Sequence, residues 1–195
     1  MKSLRKIFVL APAMLLALTA CEAKMDEAKA KERMESYDAA KVAETYKSFD
    51  EKMEIKFTKK TGDFAKGGKM YDQVVLLEAL LGGEGETNKD QPVAEGVFDA
   101  NTITEFGGSA TAVGVGNLGD YELAYYSYKT TGLKVTATAD AVAEGAKVKA
   151  SASMYVHDDG RIEKANAKIS MTYSEGDYKG TLEMSINATY TWNKK

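Results

Sequence analysis

The sequence contains very few of the residues that most often build metal and catalytic sites. It has one cysteine, Cys21, and one histidine, His157, among 195 residues. A single cysteine excludes an intrachain disulfide, and the lack of a Cys/His cluster argues against a zinc site. Asp158, Asp159 and Glu163 lack the spacing of a calcium-binding loop, so we expect no metal. The composition, 44% hydrophobic and 28% charged, is that of a globular domain.

Long apolar runs are also missing. The run from Ile7 to Leu18 has only 12 residues, whereas a membrane-spanning helix needs about 20. Three basic residues precede this run within the first six positions of the chain. A basic start followed by a short apolar stretch is typical of an export signal peptide. We therefore expect residues 1–20 to be a signal peptide that is removed.

The apolar run ends in Leu18, Thr19, Ala20 and Cys21. This sequence resembles the lipobox of bacterial lipoproteins, in which a branched apolar residue and two small residues precede a cysteine. The resemblance covers residues 1–21 only. It implies cleavage before Cys21 and a diacylglycerol on the Cys21 sulfur, and acyl chains would hold the protein on a membrane without a spanning helix. We expect no other cofactor. The expected location is outside the cytoplasm, on the cell membrane or the outer membrane.

Basic residues are fewer than acidic ones. Residues 1–20 contain three of the 26 basic residues and none of the 29 acidic residues, so the remaining chain would carry a net charge of −6. A moderately acidic exported domain argues against nucleic acid, and against an anionic membrane surface, as a partner. The membrane contact that we expect is the lipid anchor.

Glycine and proline are absent from Glu22 to about Asp50, which predicts one long helix. Its first part is charged on all sides, so we expect residues 21–33 to form a solvated helical tether. Beyond the tether, apolar residues follow an approximately helical spacing that could dock on a core. The expected organisation is thus a signal peptide, a tether, and a single α+β domain over residues 34–195.

The middle of the chain gives weaker signals. Residues 51–58 alternate apolar and charged side chains, which predicts a strand. Residues 70–81 are apolar on almost all sides, which predicts a helix buried on most sides. The glycine-rich and charged composition of residues 82–92 predicts a mobile loop. Two poorly defined strands are predicted after it, near 94–104 and 109–115.

The last third predicts an antiparallel meander of five strands, separated by four turn signals. When each hairpin is aligned on its turn, apolar residues meet on one face and polar residues on the other. The predicted partners include Tyr126 with Val135, Val135 with Met154, Ala137 with Ala152, Ala152 with Ala165, and Ala165 with Ile186. The final strand, from Tyr178 to Trp192, is expected to be the outermost of the five.

The expected fold is therefore α+β: a curved antiparallel sheet of five to eight strands with one or two helices on its apolar face. In outline it is similar to the half-barrel lipoproteins of the LolA and LppX type, which is an analogy of architecture without a shared motif. Small residues at the centre of the apolar face leave room for a helix or a guest. The candidate ligand face comprises Ala137, Ala152, Met154, Ala165, Met171, Met184 and Ile186.

Other motifs carry less weight. Residues 114–119 match G-x-G-x-x-G, but a strand follows where a dinucleotide site needs a helix, so we interpret them as a turn or bulge. His157 lies beside a tight turn and has no supporting nucleophile spacing. The predicted register points Tyr121 and Tyr125 away from the core, where they could contact a sugar or a protein.

Two functions stay open on the sequence alone. One is a non-catalytic surface lipoprotein that binds a lipid or another hydrophobic molecule on the concave face of its sheet. The other is an envelope scaffold with a solid core, whose surface contacts a protein or glycan. No set of acid, base and nucleophile supports an enzyme.

Overall fold

A computed structural model describes residues 23–81, 87–98, 122–129, 131–143 and 146–195. These residues form one open, curved, antiparallel sheet of eight strands in the order β1-β4-β5-β6-β7-β8-β2-β3. The predicted α+β class is confirmed. The strands are β1 Lys24–Met25, β2 Tyr46–Gly62, β3 Thr87–Gln91, β4 Glu122–Tyr128, β5 Gly132–Ala143, β6 Ala146–Val156, β7 Ile162–Glu175 and β8 Tyr178–Lys194.

Three α-helices accompany the sheet in the described chain: α1 (Glu27–Glu35), α2 (Ala39–Thr45) and α3 (Tyr71–Leu81). The prediction of one helix up to Asp50 was wrong. The Ser36 backbone N–H caps the end of α1, and the Asp38 side chain accepts a hydrogen bond from the Ala40 N–H at the start of α2. The chain is already a strand from Tyr46, because pairing with β8 overrides the helical propensity of this segment.

Strand β8 is the outermost of the five meander strands β4 to β8, as predicted, but the sheet continues beyond it with β2 and β3. On one side it pairs with β7, and on the other it pairs with β2 from Tyr46↔Lys194 to Gly62↔Gly180. Strand β2 is 17 residues long, whereas the sequence pattern indicated only residues 51–58. The N-terminal part of the chain is thereby joined to the end of the chain.

The hairpin registers follow the predicted faces in three of four cases. Strands β5 and β6 pair as predicted, with Ala137 opposite Ala152. Strands β7 and β8 are offset by two residues from the prediction, because a two-residue turn with Gly176 at a φ of +56° joins Glu175 to Tyr178. Strands β6 and β7 are also offset by two residues over most of their length. A two-residue offset keeps every side chain on its predicted face.

Strands β4 and β5 differ from the prediction by one residue. Lys129 adopts a φ of 53°, and pairing begins at Tyr128↔Gly132, so Tyr125 lies opposite Val135. A one-residue offset exchanges the two faces of a strand. Tyr125 therefore points into the core, and Tyr126 points to the polar face.

The segments around β3 also differ from the prediction. Thr87–Gln91, which the sequence pattern placed in a loop, pairs with β2. A 3-10 helix over Val93–Gly96 stands where the predicted strand at 94–104 begins. The predicted strand at 109–115 and the glycine motif at 114–119 lie outside the described residues.

Candidate functional site

The apolar face of the sheet is divided into parts that are packed differently. We call its first part the α1 cluster, whose buried members are Ala30, Phe98, Tyr125, Leu133, Val135, Met154, Val156, Ile162, Ala165 and Ala188. Ala30 of α1 is completely buried, and Met34 and Tyr37 pack against the same cluster. Two residues of the predicted ligand face, Met154 and Ala165, belong here. The protein's own side chains therefore cover this part of the face.

The second part, which we call the strand cluster, lies further along the strands. Its buried members are Ala139, Val148, Ile169 and Met184, and the partly buried residues packed on them are Ile55, Phe57, Ala150, Met171 and Ile186. Among the described residues, every member comes from a strand and none from a helix. Three residues of the predicted ligand face, Met171, Met184 and Ile186, belong to this cluster. Ala137 and Ala152, which pair across β5 and β6, are half-buried between the two parts.

Helix α3 covers only one end of the sheet. Its Val74 is buried with Phe64 and Leu182, but Val75 is 41% exposed and Leu76 is 60% exposed. The prediction that this helix is buried on most sides was therefore wrong. Val75 and Leu76 thus leave apolar surface exposed on this helix.

The start of the described chain is fixed to the edge of the sheet. The Ser127 N–H donates a hydrogen bond of 2.9 Å to the Ala23 carbonyl, and Lys24 and Met25 pair with Tyr126 and Tyr125. In α1, the Arg33 guanidinium donates to the Gly132 carbonyl at 2.8 Å. The helix that the sequence suggested as a solvated tether thus has one face packed on the domain. Cys21 itself lies outside the described residues.

The tyrosines that the sequence suggested as surface contacts are not available in that role. Tyr125 is only 6% exposed and belongs to the α1 cluster, so its assignment as a surface contact was wrong. Tyr121 lies outside the described residues. The tyrosines on the polar face are instead Tyr126, Tyr128 and Tyr155. Sequence reasoning placed Tyr126 and Tyr128 on the apolar face because the β4–β5 register was set one residue too far along.

A hydrogen-bonded group on the polar face surrounds Glu163. Tyr128 Oη donates to Glu163 Oε1 at 3.1 Å, and Lys129 Nζ donates to Oε2 at 2.5 Å. Burial alone would raise the pKa of Glu163, but these two hydrogen bonds lower the pKa overall. His157 Nε2 lies 3.6 Å from Glu163 Oε2. Partial burial, followed by the charge of Arg161, lowers the pKa of His157 and favours its neutral form.

A β-bulge gives Glu163 this position. Val156 pairs with Ile162 and Tyr155 pairs with Lys164, so Glu163 is an extra residue between them. Without the bulge, the pairing of Met154 with Ala165 and of Tyr155 with Lys164 would continue to Glu163 opposite Val156, on the apolar face. The bulge removes that conflict, because it lets Glu163 reach the polar side without burying a carboxylate.

The chain matches no family model, no curated protein and no solved structure. Within the ranges that the structure describes, no group of three or more His, Cys, Asp and Glu residues could hold a metal ion. No helix in that same part of the chain is both long enough and apolar enough to cross a membrane.

Proposed function

We propose that the protein is a non-catalytic, membrane-anchored cell-envelope lipoprotein whose curved sheet binds a lipid or another hydrophobic molecule. The anchor rests on the sequence from Leu18 to Cys21, which follows a basic and apolar export signal. The short distance in sequence between Cys21 and the start of β1 is compatible with an anchor attached directly at the domain edge.

The strand cluster carries the ligand part of the proposal. Its described members are apolar strand residues, with the flexible side chains of Met171 and Met184 among them. Methionine side chains adapt to irregular apolar guests better than branched side chains do. Ala150 belongs to this cluster, and Ala137 and Ala152 lie beside it; all three are half-buried. A bound acyl chain would lie along these strands, near the exposed residues of α3.

The anchor is tested by producing the full chain in a bacterium with and without Cys21→Ser. We expect the parent chain to fractionate with membranes and to have an intact mass that includes diacylglycerol on Cys21. The Cys21→Ser chain should lose the lipid mass and the cleavage before residue 21. A parent chain that is cleaved but carries no acyl group would contradict the anchor.

The ligand is tested separately, on the chain from residue 21 onwards carrying Cys21→Ser. Native mass spectrometry and solvent extraction should find a co-purified lipid in stoichiometric amount. Ala152→Phe should displace that lipid, because the ring fills space beside the strand cluster. Ser151→Phe is the matched control, since Ser151 is exposed on the opposite face and the lipid should remain.

The alternative function is an envelope scaffold that contacts a protein or glycan. The packing of Ala30, Phe98 and Met154 in the α1 cluster favours it, because that part of the sheet is filled by the chain itself. If the chain that carries Cys21→Ser has a reproducible lipid-free mass, and the Ala152→Phe variant likewise has only the mass of its polypeptide, the scaffold is supported and ligand binding is contradicted.

A further inference from the structure

Lysines and tyrosines alternate in one row across the polar face of the sheet. Lys24 pairs with Tyr126, Tyr126 with Lys134, Lys134 with Tyr155, and Tyr155 with Lys164. Beyond Lys164 the same row continues through Thr189 to Lys52. We call the five residues from Lys24 to Lys164 the Lys–Tyr row. Because neighbouring strands lie about 4.8 Å apart, these five residues extend over about 19 Å.

Four side chains of the row, those of Tyr126, Lys134, Tyr155 and Lys164, are in contact with their neighbours. The Lys134 ammonium lies 5.6 Å from the ring centroid of Tyr126 and 5.3 Å from that of Tyr155. The Lys164 ammonium lies 4.4 Å from the Tyr155 ring. Tyr128 extends the surface with an edge contact to Tyr155 at 4.9 Å between centroids. Ammonium groups above tyrosine rings combine positive charge and aromatic surface on a single patch.

The adjacent row on the same face has a different composition. It consists of Ala124, Thr136, Ser153, Asn166, Asn187 and Glu54. It contains no lysine and no aromatic residue. On the other side of the Lys–Tyr row, the carboxylate of Glu163 is held by Lys129 and Tyr128. The Lys–Tyr row thus contains three lysines and no acidic residue, although the chain as a whole is acidic. Other lysines of this face, such as Lys149 and Lys168, lie within 3.5 Å of the carboxylates of Asp140 and Glu183.

The position of the Lys–Tyr row relative to Cys21 suggests what covers it. Lys24, the first residue of the row, comes three positions after Cys21 in the sequence. The Ala23 carbonyl is already bonded to β4, and two residues of extended chain span at most about 7 Å. A lipid on Cys21 would hold the bilayer surface close to the sheet edge where the row begins.

We propose that the Lys–Tyr row is a membrane-contact surface, which binds the anionic headgroups of the bilayer that holds the Cys21 lipid. Tyrosine rings are enriched at the boundary between water and lipid, and lysines close to a bilayer are attracted to anionic headgroups. The overall negative charge argues against binding from solution, but it does not oppose a local contact that the anchor already brings to the surface. The inference rests on the proposed anchor and assigns the anchored domain a defined orientation.

The test uses the lipidated protein reconstituted into vesicles of phosphatidylcholine, with or without phosphatidylglycerol. Lysine amines are acetylated briefly and quantified by mass spectrometry. We expect Lys24, Lys134 and Lys164 to react about threefold more slowly on the vesicles that contain phosphatidylglycerol. Lys147 and Lys149, which lie on the same face at the opposite end of β6 from Tyr155, should react equally in both kinds of vesicle.

Two triple variants, each of which removes three positive charges, distinguish an effect of the Lys–Tyr row from a general effect of charge. With K24Q, K134Q and K164Q together, the protection of Lys52 and Lys129 near the row should be lost. With K147Q, K149Q and K168Q together, that protection should persist. Circular dichroism confirms that both variants are folded, since lysine-to-glutamine changes at strand surfaces leave the pairing intact.

The outcomes for the anchor and for the row can be told apart. A protein without acyl groups overturns the anchor, and Cys21 is then coupled to a maleimide phospholipid so that the row is still tested. Equal acetylation of the row in both kinds of vesicle, or equal loss of protection in both triple variants, overturns the membrane-contact surface. Anchoring and ligand binding would stand in either of the last two cases.

Discussion

Tyr125 and Tyr126 are neighbours in sequence but belong to opposite sides of the sheet. Tyr125 packs in the α1 cluster and is 6% exposed, whereas Tyr126 lies beside Lys134 on the polar face. The one-residue offset between β4 and β5 decides which tyrosine is structural. At the scale of single residues, the backbone of Lys129 thus determines which side chain supports the core.

This assignment predicts unequal costs for two similar substitutions. Tyr125→Ala should lower the free energy of unfolding by about 3 kcal/mol, because it removes a buried aromatic ring. Tyr126→Ala should lower it by less than about 1 kcal/mol, since the position faces solvent. Urea unfolding of both variants measures the difference. Equal costs would show that the offset between β4 and β5 is incorrect.

The hydrogen bonds that Glu163 accepts from Tyr128 and Lys129 predict how the stability of the fold depends on pH. A carboxyl whose pKa is lower in the folded chain stabilises the fold above its unfolded pKa, and this contribution is lost as the pH falls through the folded pKa. Glu163→Gln should therefore destabilise the protein near neutral pH, with a smaller difference from the parent well below the ordinary pKa of 4.5.

Urea unfolding at about pH 7 and about pH 3 checks this expectation. Glu122→Gln, at an exposed position of β4, controls for the loss of one negative charge. A Glu163→Gln cost that is the same at both pH values would contradict a stabilising role for the Lys129 and Tyr128 hydrogen bonds.

Helix α1 shows at the scale of elements how composition can mislead. Its sequence is charged on most sides, yet Ala30 is completely buried against the sheet. A single small residue lets the helix approach closely, and Arg33 fixes it through the Gly132 carbonyl. The docked face is too narrow to be recognised from hydrophobic periodicity.

The docking of α1 predicts different effects of a larger side chain at its two faces. Ala30→Leu should destabilise the protein by about 1–3 kcal/mol, because no space exists for the added atoms. Ala28→Leu, on the exposed side of the same helix, should have an effect within about 0.5 kcal/mol. Thermal unfolding followed by circular dichroism measures both. A neutral Ala30→Leu variant would indicate a solvated helix, as the sequence first suggested.

The sequence predicts local hairpins better than the contacts that join distant segments. Alternation along β5 to β8 is strong, because one face is apolar and the other is polar, so the apolar faces of these strands are predicted correctly even where turns shift the pairing by two residues. The β2–β8 pairing is not predictable in this way, since Tyr46 and Lys194 are separated by almost the whole domain. The division of the predicted ligand face into two parts also depends on where α1 docks, which hydrophobic periodicity does not specify.

At the scale of the whole molecule, the pairing of β2 with β8 makes the two ends of the domain interdependent. Trp192, the only tryptophan, lies at this junction. Its ring contacts Phe49 at 5.2 Å between centroids, and its indole N–H donates to the Ile162 carbonyl at 2.9 Å. Unfolding of β2 therefore changes the surroundings of a side chain on β8.

This arrangement predicts a single cooperative unfolding transition. Trp192 fluorescence, which reports on the junction, and far-ultraviolet circular dichroism, which reports on the whole sheet, should give the same midpoint in urea. Separate midpoints would show that the N-terminal strand and the meander unfold as independent units.

The two margins of the described sheet are formed by short strands. The outermost strands, β1 and β3, have 2 and 5 residues, while the 17-residue strands β2 and β8 lie inside. Strand β1 pairs only with Tyr125 and Tyr126 of the seven-residue β4, and β3 pairs with β2 only between Phe49 and Lys52. If Cys21 carries the proposed lipid, pulling on that anchor would detach β1 first, because β1 begins three residues after Cys21. The backbone of Tyr125 and Tyr126 would then be exposed and could pair with a strand of another molecule.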